Sequence, residues 1–192
     1  MRRPDRVSGF CLLVALLTVA CGQPVPTVTA IDLLKRSTTA ERRPASGEFP
    51  IVEHSCADER MASQVVPVPS RLTYTMNFPA RARFLAAVAV TGSADARAEF
   101  RIGISDRRLY ETLHVQSVAA SSCGSTWQQV AIDLARYGGR QWSVFYRPDQ
   151  RRWELILGVT RQEGDVGTAV WGAPRIETDG RAARAFLAAR RD

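Results

Sequence analysis

The sequence predicts an all-β protein, an antiparallel β-sandwich of about eight or nine short strands. Two observations point to this fold class. Apolar side chains recur at alternate positions in runs of about four to eight residues, and turn-forming residues separate the runs. Between the strands there is no helical pattern of about ten residues, so the crossover helices that a parallel sheet requires are missing.

Each predicted strand places its apolar residues on one face of a sheet. In chain order the sets are Leu72, Tyr74, Met76 and Phe78; Phe84, Ala86, Val88 and Val90; Phe100, Ile102 and Ile104; Leu109, Leu113 and Val115; Val130, Ile132 and Leu134; Trp142, Val144 and Tyr146; and Trp153, Leu155 and Leu157. Most aromatic residues are in step with these sets and are predicted to be core residues. Tyr110 and Phe145 point the other way, and Tyr137 lies in a turn.

Composition excludes several classes of protein. The chain has 192 residues, 45% of them hydrophobic and 23% charged, with a net charge of +7. These values are typical of one globular domain with short extensions and exclude wholesale disorder and a polytopic membrane protein. The arginines are scattered over the strands, so we expect no nucleic-acid partner. A mildly cationic protein is instead attracted to anionic polymers.

The N-terminus has the features of an export signal. Arg2, Arg3 and Arg6 precede an apolar run over 10–17, which is too short to span a membrane. The following Leu17-Thr18-Val19-Ala20-Cys21 resembles a bacterial lipobox, which implies a signal peptide over 1–20 and acylation of Cys21. An ordinary cleaved signal with an accidental Cys21 is the alternative.

The resemblance to a lipoprotein also implies a location. The protein is expected in the bacterial cell envelope, with its membrane contact made through lipid at Cys21. Gly22 follows the cysteine, and this resembles an outer-membrane sorting signal, facing the periplasm or the surface. Residues 21–48 are rich in Pro, Ser and Arg and are predicted to be a flexible tether with one helical turn near Ile31.

Two cysteines remain once the signal is removed and Cys21 is acylated. Cys56 and Cys123 are then a candidate disulfide in an exported chain, with two independent thiols as the alternative. Neither has the spacing of a zinc site, so no metal is expected. At the other end, residues 179–192 are predicted to be a basic tail, either a short helix or frayed chain. A cationic segment that touches anionic lipid or polymer is a second interpretation of the tail.

Three segments of the predicted sandwich domain over 49–178 carry a resemblance. They are Ile51-Val52-Glu53-His54 with Pro69 to Ala82, Trp127 to Arg140, and Ala169 to Ile176. Their order resembles the galactose-binding-like jelly-roll modules of bacterial exported proteins, including modules found beside periplasmic sulfatases. The resemblance implies a jelly-roll β-sandwich, and it identifies a fold without identifying a site.

No catalytic residue is predicted. His114 is expected at the exposed or rim side of its strand, and His54 lies near Asp58 and Glu59 without the spacing of a zinc site. Ser121, Ser122 and Ser125 have no nucleophile-elbow pattern around them. A pair of carboxylates for glycoside hydrolysis cannot be chosen from the candidates near strands, Asp106, Glu111, Asp133, Glu154, Glu163 and Asp165.

The function expected from the sequence is therefore non-catalytic binding at the envelope. The ligand-binding residues stay unassigned, and no cofactor is expected. Envelope polysaccharide or another envelope protein is the expected partner. The alternative is an envelope enzyme that acts on carbohydrate on the same jelly-roll scaffold.

Overall fold

The computed structural model describes residues 26–138 and 152–189 and has two antiparallel β-sheets. In chain order the strands are β1 (Thr27–Asp32), β2 (Glu41–Arg43), β3 (Ile51–Cys56), β4 (Glu59–Val66), β5 (Ser70–Met76), β6 (Arg83–Gly92), β7 (Arg97–Ser105), β8 (Tyr110–Ala119), β9 (Gln128–Asp133), β10 (Trp153–Glu163) and β11 (Val166–Asp179). Short 3-10 helices cover Ser37–Thr39, Ala120–Gly124 and Ala135–Tyr137, and one α-helix, α1, covers Gly180–Ala188. The predicted all-β sandwich is confirmed. The predicted strand at Trp142, Val144 and Tyr146 lies outside the described residues.

The two sheets have different strand orders. The first sheet runs β3-β4-β11-β6-β9, and β1 also pairs with β11. The second sheet runs β2-β5-β10-β7-β8. Every ladder in the two sheets is antiparallel. Because chain neighbours such as β5 and β6 belong to different sheets, the chain crosses repeatedly between the two layers.

The core lies between the sheets and contains the alternating residues that the sequence indicates. The second sheet contributes Leu72, Phe100, Ile102 and Leu155, and Trp171 faces them from the first sheet. The rings of Phe100 and Trp171 meet edge to face with centroids 5.0 Å apart. Burial of side chains of this size contributes about 1.5–3 kcal/mol each, so this contact area is a main source of stability.

The predicted tether over 21–48 is wrong from Thr27 onwards. β1 pairs with the C-terminal half of β11, and β2 pairs with β5 in the other sheet. Ile31 and Leu33 are 4% and 0% exposed, and the predicted helical turn at Ile31 is part of β1. The sandwich therefore begins at Thr27. These segments are short and rich in polar residues, so an apolar period of two is not visible in them.

The predicted inward face of β8 is also wrong. The ladder between β7 and β8 shifts register between Ile102 and Gly103, and Leu113 is the extra residue on β8. A bulge of this kind reverses which residues face the core. Val115 is consequently 46% exposed, and Leu109, which was predicted to begin the strand, lies before it and is 76% exposed.

The C-terminal residues form α1, which packs against β1 and β11. Asp179 caps the helix, because its carboxylate accepts hydrogen bonds from the backbone N–H groups of Arg181 (3.0 Å) and Ala182 (2.8 Å). Within the described ranges, none of the helices is long and apolar enough to cross a membrane.

Candidate functional site

An open groove of about 480 Å³ crosses the outer face of the second sheet. The side chains that line it come from all five strands of that sheet or from the residue preceding β5. They are Arg43, Pro69, Ser70, Arg71, Arg101, Tyr110, Ile156, Gly158, Val159 and Thr160. The residues around the groove thus include hydroxyl-bearing residues, arginines, aliphatic residues and one aromatic residue.

The register of the sheet places three arginines in one row across this groove. Arg43 lies opposite Arg71, Arg71 lies opposite Gly158, and Gly158 lies opposite Arg101. We call Arg43, Arg71 and Arg101 the arginine row. Gly158 has no side chain, so it leaves a low floor between two long cationic side chains. An added Cβ at Gly158 would meet its nearest neighbour at 3.7 Å, an ordinary van der Waals distance, so the sheet has room for it.

Tyr110 lies over a second glycine of the same face. A Cβ at Gly103 would lie 2.4 Å from Cε2 and Oη of Tyr110 and 2.5 Å from Cζ, so the phenol ring covers the position where a side chain would stand. Tyr110 is nevertheless 51% exposed. The ring is supported by the sheet on one side and open to solvent on the other, which is the arrangement in which an aromatic ring stacks on a ligand. The outward direction of Tyr110 agrees with the sequence prediction.

The three arginines differ in their electrostatic partners. Arg43 forms a salt bridge with Glu41 at 3.0 Å, and Arg101 forms one with Glu99 at 2.7 Å. The Glu99 carboxylate holds the pKa of Arg101 above its usual range. Arg71 is half-buried, and among the described residues it has no carboxylate partner. Its Nε is buried and has no hydrogen-bond partner there, an arrangement that typically costs about 1–3 kcal/mol.

The candidate cysteines lie on the other sheet. Cys56, at the end of β3, and Cys123, in the 3-10 helix Ala120–Gly124, are joined by a disulfide. Nε2 of His54 is 4.0 Å from Sγ of Cys123, and the imidazole contacts the ring of Trp127 edge to face. These three residues form the one group of metal-binding side chains found in the described part of the chain. Both thiols are consumed by the disulfide, so the group is not a metal site in this state.

Most of the residues considered for catalysis form salt bridges or hydrogen bonds with nearby residues of the fold. Burial lowers the pKa of His54, and His114 is half-buried beside Gln116, with Nε2 3.3 Å from Oε1. Glu111, Glu154 and Glu163 form salt bridges with arginines. Carboxylates of Asp106 and Asp133 accept backbone hydrogen bonds in turns, and Asp165 is exposed in the turn between β10 and β11.

Tyr137, the third aromatic candidate, belongs to a polar cluster at one end of the sandwich. Its hydroxyl donates to Oε2 of Glu111 at 2.7 Å, and Arg136 bonds Oε1 of the same carboxylate. Burial, followed by the Glu111 hydrogen bond, raises the pKa of Tyr137 to about 12. The Tyr137 hydrogen bond is also the main cause that lowers the pKa of Glu111. The ring packs edge to face on Trp153, with centroids 5.1 Å apart, so Tyr137 serves the fold rather than an open platform.

Several predicted sites cannot be placed. The lipidation site Cys21 and the outward-pointing Phe145 lie outside the described residues. Sequence analysis did not single out the arginine row or the glycines beneath the groove. Alternation along one strand indicates only the face on which a side chain lies, and the alignment of Arg71 with Arg101 across neighbouring strands depends on register, which one strand does not reveal.

Comparison with known proteins gives information about the fold. No family model and no curated protein matches the chain. Among solved structures, the chain is similar to TmCBM61, solved in complex with β-1,4-galactotriose, with a TM-score of 0.50 and 8% identity over 78% of this chain and 97% of that one. The chain has a jelly-roll sandwich fold. At this identity the likeness concerns the fold alone.

Two further solved structures are similar at lower TM-scores. They are the CBM22-1 xylan-binding domain of Paenibacillus barcinonensis Xyn10C (TM-score 0.44, 10% identity, 79% of this chain and 92% of that one) and the xylan-binding module CBM15 (TM-score 0.41, 11% identity, 82% of this chain and 98% of that one). All three are described as carbohydrate-binding modules or domains.

Proposed function

We propose that the protein is a non-catalytic saccharide-binding module of the bacterial cell envelope and that its ligand lies in the groove on the second sheet. The observation that carries the proposal is Tyr110, whose ring rests on Gly103 and is open to solvent within a groove lined by both polar and apolar groups. Sugar recognition typically combines an aromatic ring against the apolar face of a pyranose with polar groups for its hydroxyls. Thr160 and the arginine row supply such polar groups here.

A graded series at Gly158 tests whether the groove is the site. A Cβ at Gly158 would meet its neighbours only at ordinary van der Waals distances, so a side chain added there extends into the groove. We expect Gly158→Ala to reduce polysaccharide retardation in affinity gel electrophoresis slightly and Gly158→Phe to abolish it. Tyr110→Ala should also abolish retardation, whereas Tyr110→Phe should retain most of it because the ring is kept.

Neutral and acidic polysaccharides are both needed as probes in that experiment. The fold likeness to TmCBM61 makes β-1,4-galactan a reasonable neutral polymer to include. Circular dichroism establishes that each variant is folded. Full retardation of folded Gly158→Phe and Tyr110→Ala would refute the groove as the binding site. Release of reducing ends from a bound polymer would favour the carbohydrate-active enzyme instead.

We also propose that the protein is held at the membrane by acylation of Cys21. The support is the order of a basic start, a short apolar run and the lipobox-like Leu17 to Cys21. A cysteine that carries more than one acyl chain anchors a protein stably to the membrane. The chain should incorporate an alkyne analogue of palmitate when expressed in a bacterium, and Cys21→Ala should not. Labelling of Cys21→Ala at the level of the unmodified chain would contradict the assignment of Cys21.

A further inference from the structure

We infer that the saccharide bound in the groove is acidic and that Arg71 recognises its carboxylate. This inference rests on the proposed function and names the chemical class of its ligand. It comes from the charge distribution in the groove, which differs from what a neutral sugar requires.

The first step is the placement of the charges. Arg43 and Arg71 occupy directly opposite positions of β2 and β5 on the solvent face. Like charges in directly opposite positions of an antiparallel pair repel each other and destabilise the sheet. Arg101 lies in the same row, on the far side of Gly158. Three guanidinium groups along one line make this part of the groove positively charged, and an anion bound there would relieve the repulsion between them.

The second step is the partial neutralisation of the row. Glu41 and Glu99 neutralise the two outer members through the salt bridges described above. In the described part of the chain, Arg71 has neither a carboxylate partner nor a hydrogen bond at its buried Nε. A guanidinium group is always charged and presents a planar fork of donors that matches a carboxylate. Arg71 is therefore the member of the row that is prepared for an external carboxylate.

The third step is the separation of the two recognition elements. Arg71 is on β5 and Tyr110 is on β8, and β10 and β7 lie between them. Neighbouring strands are about 4.8 Å apart, so three spacings separate the two strands by about 14 Å. Because the Tyr110 ring lies over Gly103 of β7, the ring is only two strand spacings, about 10 Å, from β5. A ligand that uses both elements is an oligosaccharide with one ring stacked on Tyr110 and a carboxylate on another sugar unit. The low floor at Gly158 lets such a chain cross the sheet beside Arg71.

The experiment compares polymers that differ only in charge. Affinity gel electrophoresis is run with polygalacturonate and alginate, with their methyl esters, and with β-1,4-galactan and dextran sulfate. We expect one or both uronate polymers to retard the protein and esterification to weaken that binding at least about tenfold, because the ester removes the charge-assisted hydrogen bonds. Arg71→Gln should weaken uronate binding by a similar factor, and Arg71→Lys should restore part of it.

Arg60→Gln is the matched control. Arg60 is an exposed arginine on β4 of the first sheet, so this variant has the same net charge as Arg71→Gln and an unchanged groove. Uronate binding by Arg60→Gln should equal that of the unmodified chain. Equal losses in the two variants would overturn the inference, because they would indicate attraction by net charge alone.

The remaining outcomes separate this inference from the proposed function. Equal binding of uronate polymers and their esters, or binding of galactan alone, overturns the inference and leaves the saccharide-binding function intact. Binding of dextran sulfate as tight as that of the uronates overturns the recognition of a carboxylate. Absence of binding to all the polymers overturns the proposed function itself.

Discussion

Tyr110 owes its exposed position to the residue beneath it. An aromatic side chain of this size is normally driven into the core by burial of its apolar surface. Here the ring covers Gly103, where any other residue would project into it. The pair therefore acts as one unit, in which a glycine of β7 leaves space that the ring from β8 covers.

Gly103→Ala tests this unit at the scale of one methyl group. The new Cβ would lie 2.4–2.5 Å from the Tyr110 ring, and the exposed ring must move away from the sheet. We expect polysaccharide binding to fall as far as in Tyr110→Ala, with a change of less than about 1 kcal/mol in the free energy of unfolding, because alanine suits a strand better than glycine. Affinity electrophoresis and urea unfolding measure the two effects. Undiminished binding would show that the position of the ring is not important.

At the scale of single residues, the sequence predicts the face of the strand on which a side chain lies better than it predicts which residues lie opposite on adjacent strands. Alternation alone places Tyr110 on the face opposite the apolar set of its own strand, and Tyr110 is exposed in the structure. It does not reveal that Arg43 lies opposite Arg71, because those residues meet only after β2 pairs with β5. A site assembled from side chains of several strands is for this reason difficult to recognise in one sequence.

The strands fall into two groups according to how visible they are in the sequence. β5, β6, β7, β9 and β10 have one face in the core, and their alternation predicts them well. β11 was not predicted as a strand by alternation, because Ala169, Val170 and Trp171 are all buried. Trp171 faces the main core, whereas Val170 packs on the opposite face in a small second cluster with Cys56 and Trp127. A strand covered on both faces loses the period of two.

The disulfide stabilises that second cluster by linking β3 to the connection before β9. Cys56 and Cys123 are 67 residues apart in the chain. On the chain-entropy model, a loop of this length makes the bond contribute about 4 kcal/mol to the free energy of unfolding. The double variant Cys56→Ala with Cys123→Ala should lose that amount in urea unfolding. The same denaturation midpoint for the variant and the oxidised protein would contradict the prediction.

Reductant supplies the control for this element. Dithiothreitol should lower the midpoint of the unmodified domain towards that of the double variant and leave the variant itself unchanged. A variant that responds to reductant would indicate an effect elsewhere in the chain.

Helix α1 should depend on pH through its capping residue. Backbone hydrogen bonds, the one from Ala182 first, and Arg81 lower the pKa of Asp179 in the folded protein. The stabilisation by this cap is therefore complete above the ordinary aspartate pKa of about 3.9 and is lost as the pH falls through the lowered value. NMR shifts of the α1 amides should report fraying in acid. Asp179→Asn keeps a capping oxygen, and α1 should then show no such transition.

At the scale of the molecule, the N-terminal strands decide where the domain begins. A chain that starts at Pro26 retains β1 and β2, whereas one that starts at Phe49 loses both, together with buried Ile31 and Leu33. Two such side chains contribute about 3–6 kcal/mol together, a large part of the 5–15 kcal/mol or so that stabilises a typical domain. We expect the shorter chain to show no cooperative thermal transition by circular dichroism. A transition within a few degrees of the longer chain would show that the two strands are dispensable.

The early start of β1 also sets how the groove would meet its ligand. If Cys21 is acylated as proposed, five residues lie between it and Thr27, and an extended chain over these six Cα–Cα steps reaches only about 20 Å. The groove is then held in a thin layer next to the bilayer, and the domain meets saccharide there instead of in free solution. Within such a layer a polymer attached to the same envelope has a high effective concentration. A modest intrinsic affinity in the groove is then sufficient for lasting attachment.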